Sequence, residues 1–189
     1  GTDDPFSQIF TGLPEAEVFD PGAYVEISSG VTDYWRLAAG ARLAFVTTQA
    51  NPDALRPGSN FVDLQGDPIA DLDVSDVLGS FYLSNDFDLS DTLRTRIGFG
   101  YAERTPNLTD RYSDGLFLAI IQSGFSRVIG DPTLSKERNW QLDVRVDKEY
   151  QYARTRFSAF HSWILDYVTY AANVIEDPTG SRLLQAVNT

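Results

Sequence analysis

The sequence has no cysteine, no methionine and a single histidine, His161. Without thiols there is no disulfide framework, no thiolate metal site and no cysteine nucleophile. One imidazole cannot build a histidine-based metal cluster. Lysine is almost missing: of fifteen basic residues only Lys136 and Lys148 are lysine, the rest being arginine. Twenty-seven acidic residues bring the net charge to −12. A nucleic-acid binder carries a basic face, so nucleic acid is not an expected partner. No run of eighteen apolar residues occurs, which excludes a transmembrane helix. It does not exclude a barrel that crosses a membrane with strands, because strands alternate and keep hydropathy low. There is no Gly-x-Ser-x-Gly elbow and no phosphate-binding glycine loop. No catalytic residue, metal ligand set or cofactor is therefore expected, and the chain reads as a non-enzyme. No secretory leader opens it. Gly1-Thr2-Asp3-Asp4 reads as the middle of a loop and Asn188-Thr189 as a strand broken off, so a segment of a longer protein is expected.

What is present is aromatic side chains at 13% and fourteen glycines, a composition that suits strands and tight turns. Period-two alternation recurs in separate segments. Over 34–48, Trp35, Leu37, Ala39, Ala41, Leu43 and Phe45 alternate with Arg36, Gly40 and Arg42. Over 93–104, Leu93, Thr95, Ile97, Phe99 and Tyr101 alternate with Arg94, Arg96, Gly98, Gly100 and Arg104. Over 140–147, Trp140, Leu142, Val144 and Val146 oppose Gln141, Asp143, Arg145 and Asp147. Segments 77–89 and 23–29 behave similarly, with Asn85 on the apolar side of the first; 154–168 starts well at Arg154, Arg156 and Phe157 but blurs at His161, Trp163 and Ile164. Successive side chains point to opposite faces of a strand, so each strand has one apolar face and one face carrying fixed cations.

The connections alternate in length. Those at 30–33, 90–92 and 148–153 are short, while 49–75 and 105–138 are long. An up-and-down meander with all long loops at one end fits this, and outer-membrane barrels have that asymmetry. Strands 34–48, 93–104 and 154–168 then run outward; 23–29, 77–89 and 140–147 run inward; 183–189 begins a seventh, and 1–21 is the tail of another outer loop. Trp35, Phe87 and Phe157 fall near the short-turn end, and Phe45, Tyr101, Trp140 and Tyr167 near the long-loop end, as two interfacial girdles would. The rival is a soluble β-sandwich with the apolar face as its core, but strands of twelve to fifteen residues are long for that class.

Several segments carry a family resemblance. Gly22-Ala23-Tyr24-Val25-Glu26 followed by Val31-Thr32-Asp33-Tyr34-Trp35-Arg36-Leu37 and Gly40-Ala41-Arg42 resembles a strand–turn–strand of TonB-dependent receptor barrels. Gly100-Tyr101-Ala102-Glu103-Arg104-Thr105-Pro106, then Leu108 and Asp110-Arg111-Tyr112, resembles their Arg-x-Pro strand end. Gly130-Asp131-Pro132-Thr133-Leu134-Ser135-Lys136-Glu137 is similar to their Gly-Asn-Pro-x-Leu-x-Pro-Glu loop end, with Asp131 and Lys136 as departures. Phe160 to Val168 resembles the next outward strand and Val187-Asn188 the start of the following one. The resemblance implies an all-β fold: residues 1–189 as an open antiparallel meander, six or seven strands of a 22-stranded transmembrane barrel, with the plug domain and remaining strands outside this sequence. It implies a Gram-negative outer-membrane receptor and transporter for a scarce ligand such as a ferric siderophore or other metal chelate. The implied partners are outer-membrane lipid, the parent's plug, the TonB energy-coupling complex reached through that plug, and an extracellular small molecule. The alternatives are another outer-membrane barrel, a porin or adhesin, or a soluble carbohydrate-binding β-domain.

On this reading Arg36, Arg42, Arg94, Arg96, Arg104, Arg145, Arg154 and Arg156 face the lumen or plug. Interleaved acids (Glu26, Asp86, Asp88, Asp143, Asp147) make ion-pair ladders between neighbouring strands and contacts to the plug the expected role; the other account is a cationic lumen guiding anionic chelates. Asp63, Asp67, Asp71, Asp73 and Asp76 share an outer loop whose spacing lacks the glycine and pattern of a calcium loop, and a solvated acidic loop is expected. The loop at 105–138 carries Arg111, Tyr112, Phe117, Phe125 and Arg127 beside the apolar run Leu116–Ile121. These five are the candidate ligand-contacting residues if the loop folds inward; otherwise the loop packs on its neighbours.

Overall fold

The computed structural model describes residues 12–54, 60–61, 65, 67–69, 71–118, 125–173 and 183–189. Eleven strands occur among them: β1 Ala16–Phe19, β2 Gly22–Thr32, β3 Trp35–Ala50, β4 Val74–Ser90, β5 Leu93–Arg104, β6 Asp114–Leu118, β7 Phe125–Ile129, β8 Glu137–Glu149, β9 Arg154–Leu165, β10 Val168–Asn173 and β11 Leu183–Asn188. A short helix, α1, spans Leu108–Tyr112. The main sheet runs β1-β3-β4-β5-β8-β9, with β2 also on β3, and every pairing is antiparallel. β10, β11, β7 and β6 form a second, four-stranded sheet at the long-loop end.

β1 and β2 are one physical strand. The register Phe19↔Thr47 resumes without slip at Gly22↔Ala44. Only Asp20-Pro21 interrupts it: Pro21 has no N–H to donate, yet its carbonyl still accepts the Phe45 amide at 2.9 Å. The strand reaches further back than the sequence suggests, since 16–19 was assigned to an outer loop. Of the other segments, β3, β4 and β8 run longer than their alternating stretches, β5 has the bounds that alternation gives it, and β11 ends one residue short. The outward strand expected over 154–168 is broken: β9 stops at Leu165 and β10 resumes at Val168. Asp166 turns the chain with φ 55, a left-handed conformation that aspartate tolerates better than most residues.

Among the described residues, the apolar face of the sheet covers no core. Leu43, Phe45, Val77, Phe81, Leu83, Ile97, Phe99, Leu142, Phe157 and Trp163 are all exposed, and all belong to one side by strand parity. A soluble sandwich would bury that side, so the sandwich alternative fails. Buried residues gather instead at the long-loop end, in two clusters. One joins Ala50, Phe61, Leu72 and Tyr112; the other joins Leu134, Val168 and Ala186.

The apolar face carries two aromatic rows. Trp35, Phe87, Thr95, Val146 and Phe157 are successive register partners near the short turns, with Trp35 stacked on Phe87 at 6.0 Å. Phe81, Tyr101, Trp140 and Trp163 form the second row, with Tyr101 and Trp140 rings 4.3 Å apart. The blurred segment also resolves: His161 and Trp163 share the apolar face with Leu142 and Trp140, while Phe160 and Ile164 lie opposite, with Asp143 and Asn139. His161 meets the edge of Trp163 at 4.2 Å.

Candidate functional site: a polar trough and the outer junction above it

The polar face is the hollow one. A trough of about 740 Å³ lies along it, lined by Glu26, Arg42, Tyr82, Arg96, Asp143 and Arg145 among others. Its floor has a fitted joint: Gly40 is the register partner of Tyr82. A Cβ at Gly40 would lie 3.1 Å from two ring carbons of Tyr82 and closer to a third. The tyrosine thus lies across the glycine.

Toward the short turns the face becomes an ion-pair lattice. Arg36 meets Asp88 at 2.9 Å and Arg94 meets the same carboxylate at 3.2 Å. Arg96 grips Asp86 with two bonds, 2.6 and 3.1 Å. Arg145 and Arg156 both reach Asp147 at 2.7 Å, with Arg154 at 3.7 Å. Toward the long loops Arg42 lies 3.7 Å from Asp20, and Arg104 meets Glu137 at 2.7 Å. The register therefore brings together the arginines singled out in the sequence, each beside an acid, as ladders require. Such half-exposed pairs contribute about 0–1 kcal/mol each, so the lattice fixes geometry more than it stabilises.

At the long-loop end the trough is roofed. Ala44, Val46, Thr48 and Ala50 sit on the polar side of β3 and are buried, while their neighbours Leu43 and Phe45 are exposed. The cover is α1. Its N-terminus is closed by a reciprocal cap, in which Asn107 accepts the Asp110 amide at 2.8 Å and Asp110 accepts the Asn107 amide at 3.0 Å. Arg111 is fully buried. Its guanidinium donates to Asp76 at 2.7 Å, to Thr105 at 2.9 Å and to the Pro132 carbonyl at 2.9 Å. Tyr112, also fully buried, donates to the Leu72 carbonyl at 2.6 Å and lies 3.1 Å from the Thr48 hydroxyl. Burial pushes its phenol pKa up. Tyr170 of β10 donates to Asp110 at 2.9 Å, and burial together with that carboxylate raises its pKa well above the ordinary value.

Two of the candidate ligand contacts, Arg111 and Tyr112, lie inside the junction, with the two terminal nitrogens of Arg111 and the Tyr112 hydroxyl engaged. They hold the loop base and present no surface. Phe117, Phe125 and Arg127 lie on the β6–β7 hairpin, as Phe117↔Ser126, Leu118↔Phe125 and Leu116↔Arg127; their side chains lie outside the described residues. Asp76, read as part of a solvated acidic loop, is the Arg111 partner instead. Asp63 falls outside the described residues.

Sequence reasoning missed the junction residues themselves. Glu137 accepts the Val168 amide at 2.7 Å as well as Arg104. The Asn188 amide group bonds Ser135 twice, at 2.8 and 3.1 Å, and the Asp166 carbonyl at 2.7 Å. The available signal was the Asn107/Asp110 spacing, which is that of a reciprocal helix cap, and the recurrence of Glu137 and Asn188 in the family-like segments.

The sequence matches, over residues 3–189, the family described as TonB dependent receptor-like, beta-barrel. No curated protein matches it. Among solved structures it is similar to the copper transporter OprC, with TM-score 0.70 and 21% identity over 92% of this chain. It is also similar to the siderophore receptor PirA from Pseudomonas aeruginosa, with TM-score 0.53 and 14% identity, again over 92% of this chain. The chain spans 25% of the length of the first and 37% of the second, and the likeness is one of fold.

Proposed function

The chain belongs to the TonB-dependent receptor β-barrel family, and from that premise we propose that it forms part of the wall of an outer-membrane receptor that imports a scarce ligand by TonB-dependent transport. The ligand class that goes with this reading is a ferric siderophore or another metal chelate. The parent carries a plug and further strands beyond residues 1–189, and sits in a Gram-negative outer membrane.

The observation that carries this reading is the two-sided sheet. One face is apolar, exposed and banded by two aromatic rows, which is what lipid contact requires. The other is hollow and charged, and its own loops pack over one end of it. A sheet of this kind is stable only with hydrocarbon on one side and a hydrated interior on the other. The role we propose is transport and not catalysis, in keeping with a family of receptors.

The test uses the full-length parent. Cells expressing it should accumulate a labelled ferric chelate when the energy-coupling complex is intact. They should bind but not accumulate it when that complex is deleted. Accumulation that persists after the deletion would reassign the protein to the passive porins.

A further inference from the structure

β4 and β5 part before either strand ends. Their ladder runs out to Ser80↔Ala102. Beyond it β4 continues to Val74, still paired with β3, and β5 continues to Arg104, still paired with β8. Each strand stays regular on its other edge. In the same register the next rungs would join Gly79 to Glu103 and Leu78 to Arg104. Neither stretch contains proline, and the register shift in this pairing lies at its other end, between Asp88 and Ser90. Nothing local forbids the two rungs, so tertiary contacts hold the gap open.

Those contacts lie on both faces. On the apolar side Glu103 accepts the Gly79 amide at 2.7 Å and the Lys136 ammonium at 2.9 Å, and Lys136 also donates to the Val77 carbonyl at 2.7 Å. Tyr101 donates to the other carboxylate oxygen at 2.7 Å. Side chains thus satisfy β4 backbone groups that a neighbouring strand would otherwise take. On the polar side Arg111 of α1 joins Asp76 of β4 to Thr105, just past β5. Leu78 and Arg104 belong to that side by strand parity. Two more rungs would set them against each other beneath α1 and narrow the space that the guanidinium occupies.

We propose that this point of the wall is a two-position switch that covers and uncovers the outer end of the trough. In the position this structure holds, the Glu103–Lys136 clip keeps β4 and β5 apart, Arg111 is seated and α1 lies over the trough. In the other, Gly79 and Glu103 exchange backbone bonds, the clip dissolves, Arg111 leaves Asp76 and α1 lifts. The Gly79 amide has a partner in both, a carboxylate in one and a carbonyl in the other. That gives two discrete settings where a simply frayed strand end would give a continuum. The switch concerns access to the trough, whichever ligand the parent carries.

The test is made on the full-length parent in outer membranes, with Ser113→Cys as reporter. Ser113 is fully buried at the end of α1 and its hydroxyl has no hydrogen-bond partner, so a thiol replaces it without losing a bond. A water-soluble maleimide reaches that thiol only when α1 lifts, and peptide mapping identifies the labelled site. Lys136→Met, which removes the clip, should speed labelling by about tenfold or more, the weight of a lost hydrogen bond to a charged group. No acceleration overturns the switch.

A merely loosened junction would also label faster, and proline separates the two cases. Gly79→Pro deletes a bond of the closed position but also the amide that the new rung needs, and its ring fills the place of that rung. Added to Lys136→Met, it should return labelling toward the rate of the reporter alone. Further acceleration would identify loosening and overturn the switch. Glu103 gives a second comparison on the other strand. Glu103→Ala removes the clip and leaves the rung possible, so labelling should quicken; Glu103→Pro removes both, so it should not. Equal acceleration by the two overturns the switch. Both proline nitrogens would face the gap, where the fold uses no ladder bond, and heat-modifiable migration checks that each variant is folded. Should one lose the folded band, the other carries the comparison.

Discussion

Gly130 lies against the backbone of Arg111. A Cβ built on it would stand 2.5 Å from the Arg111 carbonyl carbon and 2.6 Å from its oxygen, and the neighbouring backbone cannot yield as a side chain would. The contact is drawn tight by the Gly130 amide on the Ser113 carbonyl at 2.7 Å and the Asp131 amide on the Asp110 carbonyl at 2.9 Å. Gly130→Ala should therefore loosen the outer junction by about 1–3 kcal/mol, the usual cost of overpacking. In the full-length parent, trypsin should cut at Arg127 sooner while the barrel keeps its heat-modifiable migration on gels. Unchanged cleavage would remove the junction from this account.

Arg111 should behave as one half of a pair. Arg111→Met leaves the Asp76 carboxylate, largely buried, without its guanidinium, at a cost of about 3 kcal/mol. Asp76→Asn made on top of it should recover part of that loss. A double-mutant cycle by urea unfolding in bilayers measures the coupling, and additivity within about 0.5 kcal/mol would mean that the two residues act independently.

The apolar and polar faces should be separable by chemistry along one strand. Cysteines placed singly at 95 to 99 of the full-length parent should react with a lipid-restricted probe at 95, 97 and 99 and weakly at 96 and 98. Ile97→Arg should cost about 2–4 kcal/mol if that position is near the membrane midplane, whereas Gly98→Arg points into the trough beside Asp143 and should be tolerated by the wall. Uniform labelling across the five positions would contradict the two-sided sheet.

The joint of Gly40 and Tyr82 predicts a non-additive pair. Gly40→Ala pushes the Tyr82 ring off its neighbour and should destabilise by about 1–3 kcal/mol. The same change in a Tyr82→Ala background should cost much less, since nothing then lies across the glycine. Equal costs in both backgrounds would show that the ring does not depend on the missing Cβ.

Alkali should open the junction. Tyr170 and Tyr112 both have phenol pKa values raised by burial. A group with a raised folded-state value stabilises fully below its unfolded value, near 10 for tyrosine, and loses that contribution as pH climbs toward the folded value. Protease sensitivity at Arg127 should therefore rise above about pH 10. The doubly substituted Tyr112→Phe, Tyr170→Phe protein should be more sensitive at neutral pH but flatter in its pH dependence.

The strand meander was legible because its signal is local. Parity at Arg94/Thr95/Arg96/Ile97 needs only neighbouring residues, and it set both the faces and the aromatic rows. Even the arginine ladder follows once register is known, since turns as short as Asp33-Tyr34 leave little freedom for slippage. The junction was not legible. Arg111 looked like an exposed loop cation because its burial depends on Asp76 and Pro132, 35 and 21 residues away. Nothing in periodicity marks such a meeting. Likewise β1 was hidden by Pro21, a residue that ordinarily ends a strand and here costs only one donor.

The bonding of Asn188 sets an order of assembly. Its amide group closes onto Ser135 and Asp166, 53 and 22 residues earlier in the chain. The hairpins β2–β3 and β4–β5, by contrast, close across a few residues each, and short loops form fastest. During synthesis and insertion the hairpins can therefore register early, while Ser135 before β8 and Asp166 after β9 gain these bonds only when the chain near Asn188 has been delivered. The junction is the last latch on this part of the wall, and a lesion there would show as slow maturation before it showed as a lost strand.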